Sequence, residues 1–214
     1  VQLGGTTIHS WAGIGLGKKP QKELLADVKR NGKTQARWKA TQVLIIDEIS
    51  MLGKALFDKL HFIANAVRDK PNFGGMQLIC CGDFFQLPPI VTAADRDSKD
   101  GNEDEETLAF QSKNWKNCIT RTYTLKTVFR QVGDLDFVAM LNELRQGKVS
   151  DGTYAKLCQC VRKVLPPSNV EPTRLFPRKD QVATYNASRL AQLSGQTSRF
   201  TAGDTLKGNG NENH

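Results

Sequence analysis

Residues 43–52, Val-Leu-Ile-Ile-Asp-Glu-Ile-Ser-Met-Leu, limit what this chain can fold into more than any other stretch. Four consecutive apolar, mostly β-branched residues predict a strand buried on both faces, as in a parallel sheet covered by helices. Two carboxylates, Asp47 and Glu48, follow without a spacer. In α/β sheets ligands sit outside the carboxyl ends of the strands. There an Asp can hold Mg²⁺ while the next Glu polarises a water for attack on a phosphate, the Walker B arrangement. An apolar run ending in Asp-Glu also fits a strand that turns into solvent with a solvated acidic pair, so the rest of the chain must decide.

A second apolar run, residues 76–81, predicts another buried strand in which Cys80 and Cys81 are small core residues. It leads into Gly82-Asp83-Phe84-Phe85-Gln86-Leu87-Pro88-Pro89. The twin prolines fix an extended backbone and hold Gln86 at the strand tip, where an amide could sense a terminal phosphate or a water. Between the strands, Leu56, Phe57, Leu60, Ile63, Ala64 and Val67 recur at helical spacing, with His61 off the stripe and expected to be exposed. Residues 71–75, Pro-Asn-Phe-Gly-Gly, turn the chain back. Upstream, residues 21–30 predict a helix stopped by Asn31-Gly32, followed by a basic surface of Lys29, Arg30, Lys33, Arg37 and Lys39.

The first segment, residues 4–17, is rich in glycine and hydroxyl residues and carries His9 and Trp11. Thr, Ser and His can donate to phosphate oxygens and Trp can stack on a base, although taken alone the stretch fits a Gly-rich turn with a core His and Trp better. Further on, residues 122–128 alternate as a third strand and lead to Phe129-Arg130-Gln131. Asp134 or Asp136 can cap a helix with Phe137, Met140, Leu141 and Leu144 on one stripe and Gly147 past its end; Ser150 can start another. Residues 173–177 predict a short strand. Asp180 caps a last helix, whose apolar stripe carries a misplaced Asn186.

Residues 4–17, 44–52, 74–90 and 125–131 together resemble consecutive motifs of the Pif (petite integration frequency) family of superfamily-one DNA helicases, relatives of RecD. The resemblance implies an α/β fold: a RecA-like P-loop NTPase domain with a mostly parallel, incomplete sheet over residues 1–165. The resemblance places the start of a second RecA-like domain at 166–193, while charge and composition predict an acidic loop at 92–107 and a disordered tail at 194–214. It further implies an ATP-driven motor moving five-prime to three-prime on single-stranded DNA. Such a motor unwinds duplexes, forks and G-quadruplexes in repair, recombination and telomere maintenance, and works as a monomer in the nucleus or mitochondrion. Carried over by position, Asp47 holds Mg²⁺, Glu48 activates the attacking water, Gln86 monitors the γ-phosphate of ATP, and Arg130 neutralises charge growing on the transferring phosphate. Thr7, His9 and Trp11 fall in the motif that touches DNA.

No stretch of this sequence supplies Gly-x₄-Gly-Lys-Ser/Thr, the Walker A loop that cradles phosphates. The chain is therefore expected to be a fragment or a reduced relative, without measurable ATPase on its own. A non-catalytic remnant that binds single-stranded DNA is the rival, and a P-loop NTPase used for transport or signalling is a third possibility. Charge suits a polyanionic partner. The formal balance is +8, but residues 95–106 hold seven acids against Arg96 and Lys99, leaving 28 basic against 15 acidic residues elsewhere, a balance of +13. No apolar run approaches the roughly 20 residues of a membrane span. Five cysteines with adjacent and one-apart spacing match neither a zinc site nor a disulfide framework, as expected of a reducing compartment rather than secretion.

Overall fold

The computed structural model describes residues 4–90, 107–161, 163, 172–195, 198 and 200–203. The acidic stretch at 92–106, the linker at 166–169 and the tail at 204–214 lie outside the described residues. The chain divides into two compact units, Val1–Val161 and Arg162–His214.

In the first unit, β1 (Val43–Ile46) and β2 (Gln77–Cys80) pair in parallel, in the register Val43 to Gln77 through Ile46 to Cys80. A parallel pair needs a crossover. It is supplied by α4 (Lys54–Arg68), whose predicted stripe buries Phe57, Leu60, Ile63, Ala64 and Val67. Ahead of the sheet come α1 (Ile8–Ala12), α2 (Gln21–Arg30) and α3 (Gly32–Ala40). Asn31 ends α2 as expected, but its side-chain oxygen also accepts the Thr34 N–H at 3.0 Å, so the same residue starts α3. The stretch read as basic surface is thus a helix that buries Trp38 completely. Its Arg37 turns inward and donates to the carbonyls of Trp11 at 2.6 Å and Ser10 at 3.2 Å. Helices α1 and α3 meet closely at Gly13, where an added Cβ would lie 2.6 Å from Thr34 Cγ2. Arg68, at the end of α4, donates to the carbonyls of Trp38, Lys39, Thr41 and Gly74 and so ties α3, α4 and the 71–75 turn together.

Neither strand is buried on both faces. Leu44 and Ile46 point into the core, whereas Val43 is 45% and Ile45 64% exposed, and Ile79 on β2 shares the open side. The reason is that helices pack on one side of the pair only among the described residues. Cys81 is exposed rather than core, while burial pushes the half-buried thiols of Cys80 and Cys118 up to about 11. His61 is half-buried, bonded to Asn65 at 3.3 Å and edge-on to Phe73, and this burial lowers its pKa.

After the acidic stretch come α5 (Trp115–Cys118), α6 (Leu135–Gln146) and α7 (Asp151–Cys160). Asp134 caps α6 by accepting the Phe137 N–H at 2.9 Å, Gly147 closes it in the left-handed region, and Ser150 caps α7. The expected third strand at 122–128 does not form. The segment carries no regular secondary structure and is exposed, from Val128 at 43% to Leu125 at 93%, because no neighbouring strand among the described residues supplies hydrogen bonds.

The second unit holds α8 (Lys179–Ala191). Arg178, not Asp180, is its N-cap residue, and residues 173–177 form no strand. Asn186 is exposed, so it needs no core partner. Phe176 packs on Tyr185 at 5.4 Å, with the Arg174 guanidinium 5.1 Å from the same ring.

Candidate active site at the strand ends

The sheet ladder continues past both strands: Cys81 N–H donates to Ile46 O at 2.8 Å and Ile49 N–H to Cys81 O at 3.0 Å. Between those bonds the chain turns sharply. Glu48 adopts φ 52°, ψ 48°, left-handed values that cost a non-glycine residue on the order of 1–3 kcal/mol. Asp47 Oδ1 accepts the Glu48 N–H at 3.0 Å, and Met51 N–H donates to Glu48 O at 3.0 Å. These bonds and the buried Ile49 hold the turn, leaving both carboxylates exposed at the end of β1. Ser50, two residues on, is fully buried, and its hydroxyl finds no partner among the described residues.

Gly82 brings the second loop alongside. Its φ is +152°, and an added Cβ would sit 2.9 Å from Ile49 N and 3.4 Å from the Glu48 carbonyl carbon. Only a residue without a side chain lets β2 exit this close to the acid pair. The loop then folds on Asp83. Gln86 N–H donates to Asp83 O at 2.9 Å, Phe85 N–H to Asp83 Oδ1 at 3.0 Å, and Gln86 Nε2 to Asp83 Oδ2 at 3.3 Å. Arg145 of α6 completes the shell with two parallel bonds of 2.9 Å, Nε to Oδ2 and Nη2 to Oδ1. Chiefly through Arg145, the Asp83 carboxyl is held below its ordinary range.

The two phenylalanines have opposite fates. Phe84 packs edge-on against Phe110 at 4.8 Å and Trp115 at 6.2 Å, joining the aromatic core around Phe57. Phe85 is 67% exposed, with the Arg145 guanidinium 4.8 Å from its ring centre. Arg145 was not among the sequence candidates. It lies 62 residues from Asp83, and a charged residue on the polar side of a predicted helix gives no signal in sequence.

The strand ends thus bring Asp47 and Glu48 against the loop that carries Gln86. Arg130 is not joined to them: it is exposed at the start of the turn at 130–133, and among the described residues it makes no hydrogen bond, ion pair or ring contact. The N-terminal candidates divide. Thr7 is the N-cap of α1, its hydroxyl accepting the Ser10 N–H at 3.3 Å. Trp11 is half-buried against Trp38, with ring centres 4.5 Å apart. His9 lines a cavity of about 150 Å³ with Leu16, Lys18, Lys59, Pro89 and Ile90, which places it beside the end of the Gln86 loop. Among the described residues there is no cluster of three or more His, Cys, Asp or Glu suited to a metal, and no helix is long and apolar enough to cross a membrane.

The family model described as PIF1-like helicase matches residues 1–154. The chain belongs to the PIF1-like helicase family. The ATP-dependent DNA helicase PIF1 of Candida albicans is 43% identical over 204 residues, covering 95% of this chain and 22% of that protein. Its human counterpart is 41% identical over 205 residues, covering 95% and 30%. The crystal structure of the Candida albicans Pif1 helicase superposes with a TM-score of 0.80 at 42% identity, over 91% of this chain and 42% of that one. A Bacteroides Pif1 helicase solved with ADP-AlF3 and single-stranded DNA gives 0.70 at 27% identity, over 92% and 47%. This PIF1-like chain therefore spans between a fifth and a third of the length of these curated relatives, and its RecA-like α/β architecture is the one they share.

Proposed function

We propose that this chain is part of an ATP-dependent DNA helicase, and that the strand-end site takes part in ATP hydrolysis coupled to movement along single-stranded DNA. The observation that carries the reading is the contact of Gly82 with the Glu48–Ile49 peptide, which sets the acid pair beside the Gln86 loop. Glu48 is suited to polarise the attacking water, and Gln86 to sense the terminal phosphate or that water. Mg²⁺ fits Asp47. Its Oδ1 is oriented by the Glu48 N–H, its other oxygen has no partner among the described residues, and Mg²⁺ needs only one or two carboxylates beside nucleotide phosphates and waters. Bound there, the ion would neutralise phosphate charge. Arg130, exposed at a turn, has the always-charged planar fork that suits a phosphate contact if the full-length gene product brings it to the nucleotide. His9, in its cavity, is the best placed of the DNA-binding candidates, with Thr7 and Trp11 shaping the helix that presents it.

The finer reading extends the similarity: five-prime to three-prime translocation, unwinding of forks and G-quadruplexes, service in repair, recombination and telomere maintenance, a monomer, and residence in the nucleus or mitochondrion. Support for a DNA partner comes from the basic balance outside the acidic stretch and from relatives solved with single-stranded and forked DNA.

The test is Glu48→Gln in the full-length gene product. DNA-stimulated ATP hydrolysis should fall by at least about 100-fold, the usual scale for losing a general base, while single-stranded DNA binding without nucleotide stays intact. Turnover that survives the substitution sinks the assignment. DNA binding with no ATPase in the unsubstituted protein supports the non-catalytic alternative instead.

A further inference from the structure

The geometry points to Arg145 as a positioning residue that acts through Asp83 to set the orientation of the Gln86 carboxamide in the loop that Gly82 brings against the acid pair. This rests on the proposed role of Gln86 in hydrolysis.

Asp83 has two oxygens, and each accepts two bonds: Oδ1 from Phe85 N–H and Arg145 Nη2, Oδ2 from Gln86 Nε2 and Arg145 Nε. That fills the four acceptor positions of a carboxylate. An ionised carboxylate only accepts, so the end of Gln86 that meets it must be the N–H₂ end, and Oε1 points away. The direction of the amide is therefore decided by Asp83 and not by Gln86. At 3.3 Å the Gln86 bond is the longest of the four, and by itself it would fix little. The two-pronged Arg145 contact fixes the carboxylate plane from which that bond is made, and a fork-to-fork pair holds both distance and orientation. The same guanidinium covers Phe85, the residue immediately before Gln86, so the loop is held at two adjacent points by one side chain. Because Arg145 sits on α6, any shift of that helix reaches Gln86 through a single carboxylate.

The experiment is steady-state ATP hydrolysis with single-stranded DNA by the full-length gene product carrying Q86A, R145A, R145K, D83N, Q86A/R145A or D83N/Q86A. Thermal melting of each variant is measured alongside. If Arg145 works through Gln86, R145A lowers kcat on the order of 10-fold with KM for ATP changed less than about threefold, the signature of lost positioning rather than lost binding. R145K keeps the charge but not the fork and falls between. The decisive reading is the double variant, which should be no slower than Q86A alone, because a residue acting through a missing partner has nothing left to lose. If the two losses multiply, Arg145 acts independently of Gln86 and the inference fails while the role of Gln86 stands. Should Q86A leave turnover unchanged, the proposed role of Gln86 fails and takes this inference with it. If R145A does not fold, D83N, which keeps the shape and removes the ion pair, must show the same masking by Q86A; additive losses there overturn the inference equally.

Discussion

Two side chains next to the acid pair have unusual energetics. Ser50 is fully buried with no partner for its hydroxyl among the described residues, and an unpaired buried hydroxyl opposes folding. Ser50→Ala is therefore expected to leave stability unchanged or raise it by up to about 1 kcal/mol, read from denaturant unfolding. A loss of more than that would mean the hydroxyl does have a partner in solution. Asp83 is the opposite case, a carboxylate with every acceptor position filled and its pKa lowered mainly by Arg145. A lowered folded pKa means the unfolded chain takes up the proton first as pH falls. The contribution is therefore fully present above the ordinary carboxylate range, near pH 4, and is lost as pH falls through the lower folded value. The stability gap between the parent and Asp83→Asn should be constant from neutral pH down to the ordinary carboxylate range, near pH 4, and close as pH falls below it. It should also shrink in high salt, because Arg145 is half-exposed. A gap independent of pH would show that the pair contributes nothing.

At the scale of elements, the site depends on how β1 and β2 end. Their pairing is ordinary parallel ladder, and what is special is the exit. Glu48 turns left-handed while Gly82 passes within contact of the peptide that follows it. Gly82→Ala puts a Cβ 2.9 Å from Ile49 N at a φ that L side chains rarely adopt. It should cost about 1–3 kcal/mol and push the Gln86 loop away from the acid pair, lowering ATP turnover in the full-length gene product more than it lowers melting temperature would suggest. Turnover that tracks only the folded fraction would count against the strand ends forming one site. Helix α4 needs no such special residue. Its stripe buries five apolar side chains, and Phe57 meets Phe73 and Trp115 at 5.5 and 5.4 Å, so ordinary amphipathic packing holds the crossover under the sheet.

For the whole molecule, the open face of the sheet matters most. Val43, Ile45 and Ile79 present apolar area on the side away from the helices, and among the described residues the 122–128 segment has no strand to join. The chain spans 22% and 30% of two of its relatives, and apolar area of this kind is stable in solution only when small or covered; the full-length gene product is expected to cover it. Ile45→Asp should accordingly change the stability of the 214-residue chain little, yet destabilise the full-length gene product on the order of 3–5 kcal/mol by burying an unpaired charge. Equal effects in both would mean the face is open in both. The physical division between the two kinds of information follows. Near neighbours alone determined the period of α4, the start of a helix at Asp134 or Asp136, the cap Ser150, the stop at Asn31, and two strands ending in Asp47-Glu48 and Gly82–Gln86. Burial on both faces, a strand at 122–128 and the convergence of Arg130 could not be settled that way, since each depends on partners supplied from elsewhere. The inward turn of Arg37, the separate fates of Phe84 and Phe85, and the Arg145–Asp83 pair were decided by tertiary structure alone. Local propensity is set within a few residues, whereas an ion pair spanning 62 residues exists only after the chain has folded and brought its two halves into hydrogen-bonding range.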